Sequence, residues 1–247
     1  MRKKLPQTII VALVVAALLV GTVSTVWLAI VAVAVAVLYV WDLRRSLAHY
    51  ENRGLGIAQL MTDAFRASGT PRDQQRLVTV LDRLSATFGV NSVNAVIVED
   101  PGYNAALVPS PQGYSLFVTD ALMRDFELIE LEGVVAHCLA RQRLGLLARE
   151  SVSCLGTMSD ASRRILAGPG TTYRADEVAA ATIRYPLGIA GALHKCSGQM
   201  IPPSSFLSTP RYAQWRWIWF DVRSDRREID ITDLDDAELR ALALQEW

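Results

Sequence analysis

The chain has 247 residues, which is enough for one domain of ordinary size together with an anchor. Its 25 basic and 25 acidic residues balance, and its one sustained basic run lies at the extreme N-terminus, which argues against a nucleic-acid partner. The three cysteines are widely spaced and odd in number, with no CxxC or Cys/His ligand pattern. We therefore expect a reducing compartment.

The first segment is strongly apolar, with no charged residue from Leu5 to Trp41, whereas a spanning helix needs roughly 20 apolar residues. This length predicts a membrane anchor, most simply a transmembrane hairpin with helices at about 5–22 and 23–41. A single tilted helix is the alternative. A cleaved signal peptide is disfavoured because its apolar region is usually about 7 to 15 residues long. Basic residues flank both ends of the segment, so both ends are expected on the cytoplasmic side of the cell membrane.

Three segments follow from these patterns: the anchor at 1–41, a juxtamembrane helix and linker at 42–70, and a soluble domain at 71–247. Apolar residues at helical spacing predict a helix from Pro71 to Gly89. The remaining predictions are strands at 95–98, 105–108 and 114–119, and helices at 120–126, 128–150, 151–170, 173–196 (interrupted at Pro186) and from 233 to the C-terminus. The predicted fold class is α+β, a transmembrane hairpin followed by a helix-rich domain with a small sheet.

Four motifs in the later part of the chain occur in a distinctive order. They read NAVIV (94–98), SLFVTDAL (115–122), ELEGVVAH (130–137) and YRADEVAA (173–180). From about Asn94 to Ala192 the sequence resembles the HtpX-like and CAAX-prenyl-protease-type family of membrane zinc metallopeptidases. The resemblance implies a zincin-like (metallopeptidase-like) fold and, in active members, a zinc ion held by the motif HExxH.

The zinc motif is degenerate in this chain. Zinc peptidases of this kind need two histidines one helical turn apart and a glutamate that acts on the bound water. The resemblance places the five motif positions on residues 137–141, of which His137 alone is retained, while the base position holds Cys138 and the second ligand position holds Arg141. The third ligand position falls on Thr172, and the family's aspartate on Asp176. These five residues are therefore interpreted as a vestigial site, with no catalytic residue and no cofactor expected.

Other roles for the retained residues are less well supported. A zinc site rebuilt from His137, Cys138 and a distant His49, His194 or Cys196 would not follow the family spacing. Cys138 and His137 cannot form a nucleophile and base pair because adjacent helical residues point about 100° apart. Cys138 is instead expected to be a small buried residue.

The arginine at the lost ligand position suggests a substitute for the metal. An arginine is not deprotonated in proteins, so Arg141 brings a fixed positive charge that repels a cation. We hypothesise that Arg141 pairs with Asp176 and so connects the two helices; the alternative is that Arg141 points to solvent.

These residues favour a catalytically inactive, membrane-anchored metallopeptidase-like protein that acts as a binding, scaffold or regulatory module at the cytosolic membrane face. Its expected partners are the membrane and an unknown protein, for example an active homologue. The resemblance implies that a peptide lies as an added strand beside the small sheet. The possible peptide-binding strand consists of Tyr114, Ser115, Leu116, Phe117, Val118 and Thr119.

Two alternatives from other functional classes stay open. The first is an active membrane zinc metalloendopeptidase with unusual ligands. The second is a lipid-binding or membrane-surface-binding module, in which Trp215, Trp217 and Trp219 together with Arg211 and Arg216 form an amphipathic patch. The same alternation of tryptophans is more simply explained by a half-buried strand.

Overall fold

The structure is a computed structural model that describes residues 25–52, 55–147, 150, 170–222 and 236–247. The chain divides into two compact units, Met1–His49 and Tyr50–Trp247. The predicted helix at 5–22 lies outside the described residues, and so does the predicted helix at 151–170 apart from its last residue.

Helix α1 (Thr25–Asn52) contains all the described residues of the first unit. It begins at Thr25 and continues beyond the apolar segment, through the charged residues Asp42, Arg44 and Arg45. Within the described residues, no helix combines the length and the apolarity that a membrane crossing requires. The predicted transmembrane hairpin is therefore wrong, because the helix of its second half does not have the bounds of an apolar span.

The second unit begins with helix α2 (Leu55–Ala64) and helix α3 (Pro71–Phe88). Thr70 caps α3, since its Oγ1 accepts from the Asp73 N–H at 3.2 Å while an Asp73 carboxylate oxygen accepts from the Thr70 N–H at 3.1 Å. Gly89 ends the helix in the left-handed conformation at φ 69°. The predicted helix from Pro71 is thus confirmed.

A three-stranded sheet follows, with strands β1 (Val93–Val98), β2 (Ala105–Ser110) and β3 (Gly113–Thr119) in the order β1-β3-β2. Strand β3 pairs in parallel with β1 and antiparallel with β2. The predicted small sheet is confirmed. The expectation that residues 114–119 offer a peptide-binding edge is wrong, because β3 is the central strand and its backbone groups are paired on both sides.

The outer edge of β2 is covered by the protein itself at its Ala105 and Ala106 end. The Ala105 carbonyl accepts from the Phe220 N–H at 2.7 Å, and the Ala105 N–H donates to the Asn104 side chain at 3.0 Å. The backbone of Leu107 lies beside the Cys138 thiol. Pro109, two residues further along the same edge, has no N–H to offer a partner.

The helices after the sheet pack on both of its faces. Their described members are α4 (Asp120–Asp125), α5 (Leu128–Arg143), α6 (Thr171–Ile183), α7 (Pro186–Gly198), α8 (Pro210–Trp215) and α9 (Ala237–Gln245), with 3-10 turns at Phe206–Ser208 and Arg216–Ile218. Helix α8 shares a core cluster with α2 on one face, and the other helices share a core cluster with α3 on the opposite face. The predicted break at Pro186 is confirmed, since that residue begins α7. Helix α5 ends earlier than predicted because Gly145, at φ +67°, breaks it.

Helix α5 lies at the centre of the core, and eleven of its residues are buried. It crosses α7 closely: a Cβ added to Gly133 would lie 2.7 Å from the Ile189 nitrogen, so only glycine fits there. The burial of α5 on most faces places its polar side chains away from water, where each needs a partner.

The tryptophans of the proposed lipid patch are also in the core. Trp215, Trp217 and Trp219 are all buried. The first two belong to helical turns, and Trp219 makes an antiparallel bridge to Ala106. The amphipathic patch is therefore wrong, and the strand interpretation holds for the single bridge at Trp219.

Candidate functional site

The candidate site is built on the buried face of α5. His137, Cys138 and Arg141 are all shielded from water, and Thr172 and Asp176 are buried one turn apart on α6. The arrangement of helices thus brings the five residues predicted from the motif into the same core.

His137 and Asp176 are in direct contact. The His137 Nδ1 lies 2.6 Å from Asp176 Oδ1. Asp176 is also held by Arg240 from α9, whose Nε donates to Oδ2 at 2.6 Å and whose Nη2 donates to Oδ1 at 3.0 Å. Arg240 further donates from Nη1 to the Phe220 carbonyl at 2.7 Å. Three helices therefore meet at the Asp176 carboxylate.

The protonation of this group follows from burial and charge. Burial lowers the pKa of His137 to about 4, against the opposing effect of Asp176, so the imidazole is neutral at pH 7. Burial raises the pKa of Asp176, but Arg240 and His137 outweigh it and hold that pKa below its usual value. Because an ionised carboxylate only accepts, the imidazole proton lies on Nδ1 and a lone pair lies on Nε2.

Arg141 has a different set of partners from the one hypothesised. Its Nε donates to Glu150 Oε2 at 3.0 Å, and its Nη2 contacts the same carboxylate. Its Nη1 donates to the Ile218 carbonyl at 2.6 Å, and further contacts reach the carbonyls of Trp217 and Trp219. The predicted ion pair between Arg141 and Asp176 is therefore wrong, and so is the alternative of exposure to solvent.

Cys138 stands where the resemblance places the general base. It is fully buried, and burial raises the pKa of its thiol to about 12. Its sulfur faces the backbone of Leu107 on β2. A thiol with this pKa neither accepts a proton from water near neutral pH nor acts as a nucleophile.

The other histidine and cysteine ligand candidates do not converge on His137. His194 lies at the surface of α7, with its Nε2 2.7 Å from the Gln245 side chain, and the Cys196 sulfur contacts the Tyr103 carbonyl at 3.7 Å. The side chain of His49 and all of Cys154 lie outside the described residues. In the part of the chain that the structure describes, no three His, Cys, Asp or Glu side chains are grouped to hold a metal ion.

The chemistry of the donor set decides how well zinc fits these residues. In favour, His137 Nε2 is buried and has no hydrogen-bond partner among the described residues, while Asp176 orients the ring from the other side. Against it, the nearby side chains that replace ligands are a guanidinium at Arg141 and a hydroxyl at Thr172. The described residues therefore do not fit a zinc ion.

The sequence analysis did not predict two residues that contact the site, Arg240 and Glu150. Arg240 shares a face of α9 with Ala237, Ala241 and Leu244, all of them buried. An arginine at a position where the helical spacing calls for an apolar residue is a signal that could have been noticed. Glu150 follows the glycine break after α5, and nothing in its local sequence marks it.

Comparisons with known proteins agree with the resemblance seen in the motifs. No model of a protein family matches the chain. The chain is similar to two proteins named Protease HtpX homolog from Tropheryma whipplei, strains Twist and TW08/27, each 27% identical over 187 residues that cover 59% of this chain and 64% of the relative. A third protein of the same name, from Dictyoglomus turgidum, is 27% identical over 186 residues, covering 58% of this chain and 61% of that relative.

The similarity to HtpX-like proteins is thus confirmed at the level of the sequence. The chain spans less than two thirds of the length of these curated relatives.

Proposed function

We propose that this HtpX-like chain does not hydrolyse peptide bonds and serves instead as a binding, scaffold or regulatory module at a membrane. The observation that carries the proposal is the engagement of Arg141. At the position where a peptidase of this family needs a second zinc ligand, its guanidinium is buried and bound to Glu150 and to backbone carbonyls. A side chain held in this way has no lone pair for a metal and no freedom to leave.

The neighbouring positions support the same conclusion. Hydrolysis by this family's chemistry needs a carboxylate beside the first histidine to take a proton from water. Cys138 stands there with a thiol pKa of about 12 and with its sulfur against Leu107. Trp219 and Phe220 already occupy the edge of β2 at Ala105 and Ala106, where an extended substrate would otherwise pair.

The test is a cleavage assay on the full chain with an unfolded, casein-type substrate, run with and without a chelator and accompanied by metal analysis. We expect no stoichiometric zinc and no chelator-sensitive cleavage. Stoichiometric zinc together with chelator-sensitive cleavage would establish the alternative, an active zinc endopeptidase. Any activity that survives His137→Ala would belong to a contaminant, since His137 is the one ligand that the motif retains.

Membrane association is the second part of the proposal. The family that the sequence resembles is a membrane family, and large apolar side chains of α1 are exposed, including Trp27, Val33, Val37 and Trp41. The reducing compartment expected from the cysteines supports the cytoplasmic face.

Flotation of the full chain with phospholipid vesicles tests this part. We expect the chain to float with the vesicles and the double substitution Val33→Ser and Val37→Ser to reduce the floating fraction. Equal flotation of the two chains, or none by the unaltered chain, would contradict the proposal.

A protein partner completes the proposal, and an active HtpX-like peptidase is the candidate that the resemblance suggests. Co-expression of the tagged chain with such a peptidase in the same membrane should give a stable complex and an altered cleavage rate. An unchanged rate without co-purification would remove this partner from consideration.

A further inference from the structure

Four large apolar side chains are exposed where helices α5 and α7 begin. Leu128 and Ile129 lie in the first turn of α5 and are 52% and 38% exposed, and Tyr185 and Leu187 flank the start of α7 at 42% and 53%. The two turns are in contact, since a Cβ added to Gly188 would lie 2.6 Å from the Ile129 carbonyl oxygen. We call the four exposed residues the apolar patch. Large apolar side chains grouped on a protein surface mark interaction sites.

Several charged residues near the apolar patch are already paired within the chain. Arg124 Nε lies 3.2 Å from the Asp125 carboxylate, just before α5. Lys195 Nζ, on α7, lies 2.6 Å from the Glu130 carboxylate on α5. These pairs leave little net charge to attract a partner of either sign.

Two exposed charges border the apolar patch without such a pair. Glu127 directly precedes Leu128, and Arg184 directly precedes Tyr185. No ion pair joins either side chain to another described residue. The patch therefore has one acid beside its α5 half and one base beside its α7 half.

Arg184 has an unusual backbone conformation for its residue type. It ends α6 in the left-handed region at φ 57°, and its N–H donates to the Ala180 carbonyl at 2.8 Å. Glycine fills this capping position without the steric conflict that a Cβ brings. What arginine adds over glycine is the exposed cation beside the apolar patch.

The pair of opposite border charges suits a second copy of this chain. In a two-fold symmetric contact both copies use the same surface, so each residue contact occurs twice. A border of one charge sign would repel itself, whereas Glu127 of each copy can face Arg184 of the other. An anionic lipid surface would instead favour a border of cations alone.

We infer that the apolar patch is the interface of a symmetric homodimer. Leu128 and Leu187 lie at its centre, and Glu127 pairs with Arg184 across the two-fold axis. This inference goes beyond the proposed function, because the partner is a second copy of this chain and the contact is independent of peptide hydrolysis.

The first experiment measures self-association of the full chain. Two differently tagged copies are co-expressed, extracted in a mild non-ionic detergent and tested for co-purification, and sedimentation gives the dissociation constant. We expect a dimer, and we expect Leu187→Ser to raise the dissociation constant roughly tenfold or more. Leu60→Ser is the matched control, because Leu60 is 47% exposed on α2 outside the apolar patch and should leave the constant unchanged.

The second experiment reverses the border charges. Glu127→Arg and Arg184→Glu should each weaken the dimer roughly tenfold, because each places like charges opposite one another twice. The chain with both substitutions should return to within about threefold of the unaltered dissociation constant. Circular dichroism confirms that each variant is folded, and these two positions are exposed, so the charge variants carry the test if Leu187→Ser does not fold.

Three results would overturn the inference. The first is a monomeric unaltered chain, even one that binds another protein or phospholipid vesicles through the apolar patch. The second is an equal loss of affinity from Leu187→Ser and Leu60→Ser. The third is a double charge reversal that dimerises as weakly as the single ones. Zinc content and cleavage are separate measurements, so failure of the proposed function is distinguishable from failure of this inference.

Discussion

The buried ion pair of Arg141 and Glu150 provides the sharpest test of how this core is stabilised. The substitution Arg141→Met keeps an apolar side chain of similar length but removes the guanidinium. It removes the positive charge that Arg141 brings to the buried Glu150 carboxylate, and it takes a donor from the carbonyls of Trp217, Ile218 and Trp219. Removing one partner of a buried pair typically costs about 3–5 kcal/mol.

The cost should be visible in thermal and denaturant unfolding of the full chain. For a domain of this size about 1 kcal/mol corresponds to roughly 2–4 °C, so we expect the melting temperature to fall by roughly 6–20 °C. Arg143→Met is the matched control, because Arg143 is exposed in the last turn of α5 and should change stability by less than about 0.5 kcal/mol. A loss below about 1 kcal/mol for Arg141→Met would refute the reasoning.

Adding Glu150→Gln separates the charge from the packing. Glu150→Gln in the otherwise unaltered chain leaves Arg141 with an uncompensated positive charge, so it should also destabilise the fold. The double variant buries neither charge, and its loss should be smaller than the sum of the two single losses. Strict additivity would mean that the two side chains do not stabilise one another.

Three further predictions follow from the described contacts. Acid should destabilise the fold, because the pKa of His137 is about 4 in the folded chain and near 6.5 in the unfolded chain. The contribution of the neutral imidazole to the free energy of unfolding is complete above pH 6.5, and up to about 3 kcal/mol of it is lost as the pH falls toward 4. Denaturant unfolding should show a smaller acid-induced loss for His137→Gln. Gly133→Ala should cost about 1–3 kcal/mol in thermal unfolding, since the added Cβ lies 2.7 Å from the nitrogen of Ile189. Thr70→Ala should cost about 0.5–2 kcal/mol in the same measurement by removing the acceptor for the Asp73 N–H.

Each of these predictions has a control in the same chain. His194→Gln, at the surface of α7, should leave the acid-induced loss unchanged; an equal reduction by both histidine variants would contradict the role given to the buried imidazole. Gly198→Ala, where an added Cβ meets nothing within 4 Å, should be neutral or slightly stabilising. Thr79→Ala, inside α3, removes a hydroxyl that caps nothing, so a cost equal to that of the Thr70 variant would argue against the cap.

Local patterns predicted most of the individual elements of the second unit. The helix beginning at Pro71 and the break at Pro186 follow from residues that impose backbone conformation or periodic burial within a few positions. The predicted end of α5 was too late because a single Gly145 terminates it. The transmembrane hairpin failed for a related reason: apolar composition alone does not set the bounds of α1.

Local sequence patterns did not predict which elements and side chains pair with one another. The alternation of side chains along β3 is the same at an edge and in the centre of a sheet. Its central position therefore depends on which strands pair with it in the folded protein. The partner of Arg141 was misassigned for a similar reason, since Asp176 and Glu150 both carry the charge it needs. Only the folded arrangement distinguishes them.

The sequence by itself determined that Arg141 and Thr172 cannot act as the histidine and glutamate that the resemblance leads us to expect at their positions, because the identity of a side chain decides what chemistry it can perform. The tertiary structure decided which partners the buried polar side chains found. Arg240 reaches Asp176 from a helix 64 residues further along the chain, and a contact at that separation is specified by packing of the whole core rather than by any local pattern. Burial then makes the match of charges obligatory, which is why this distant arginine belongs to the site.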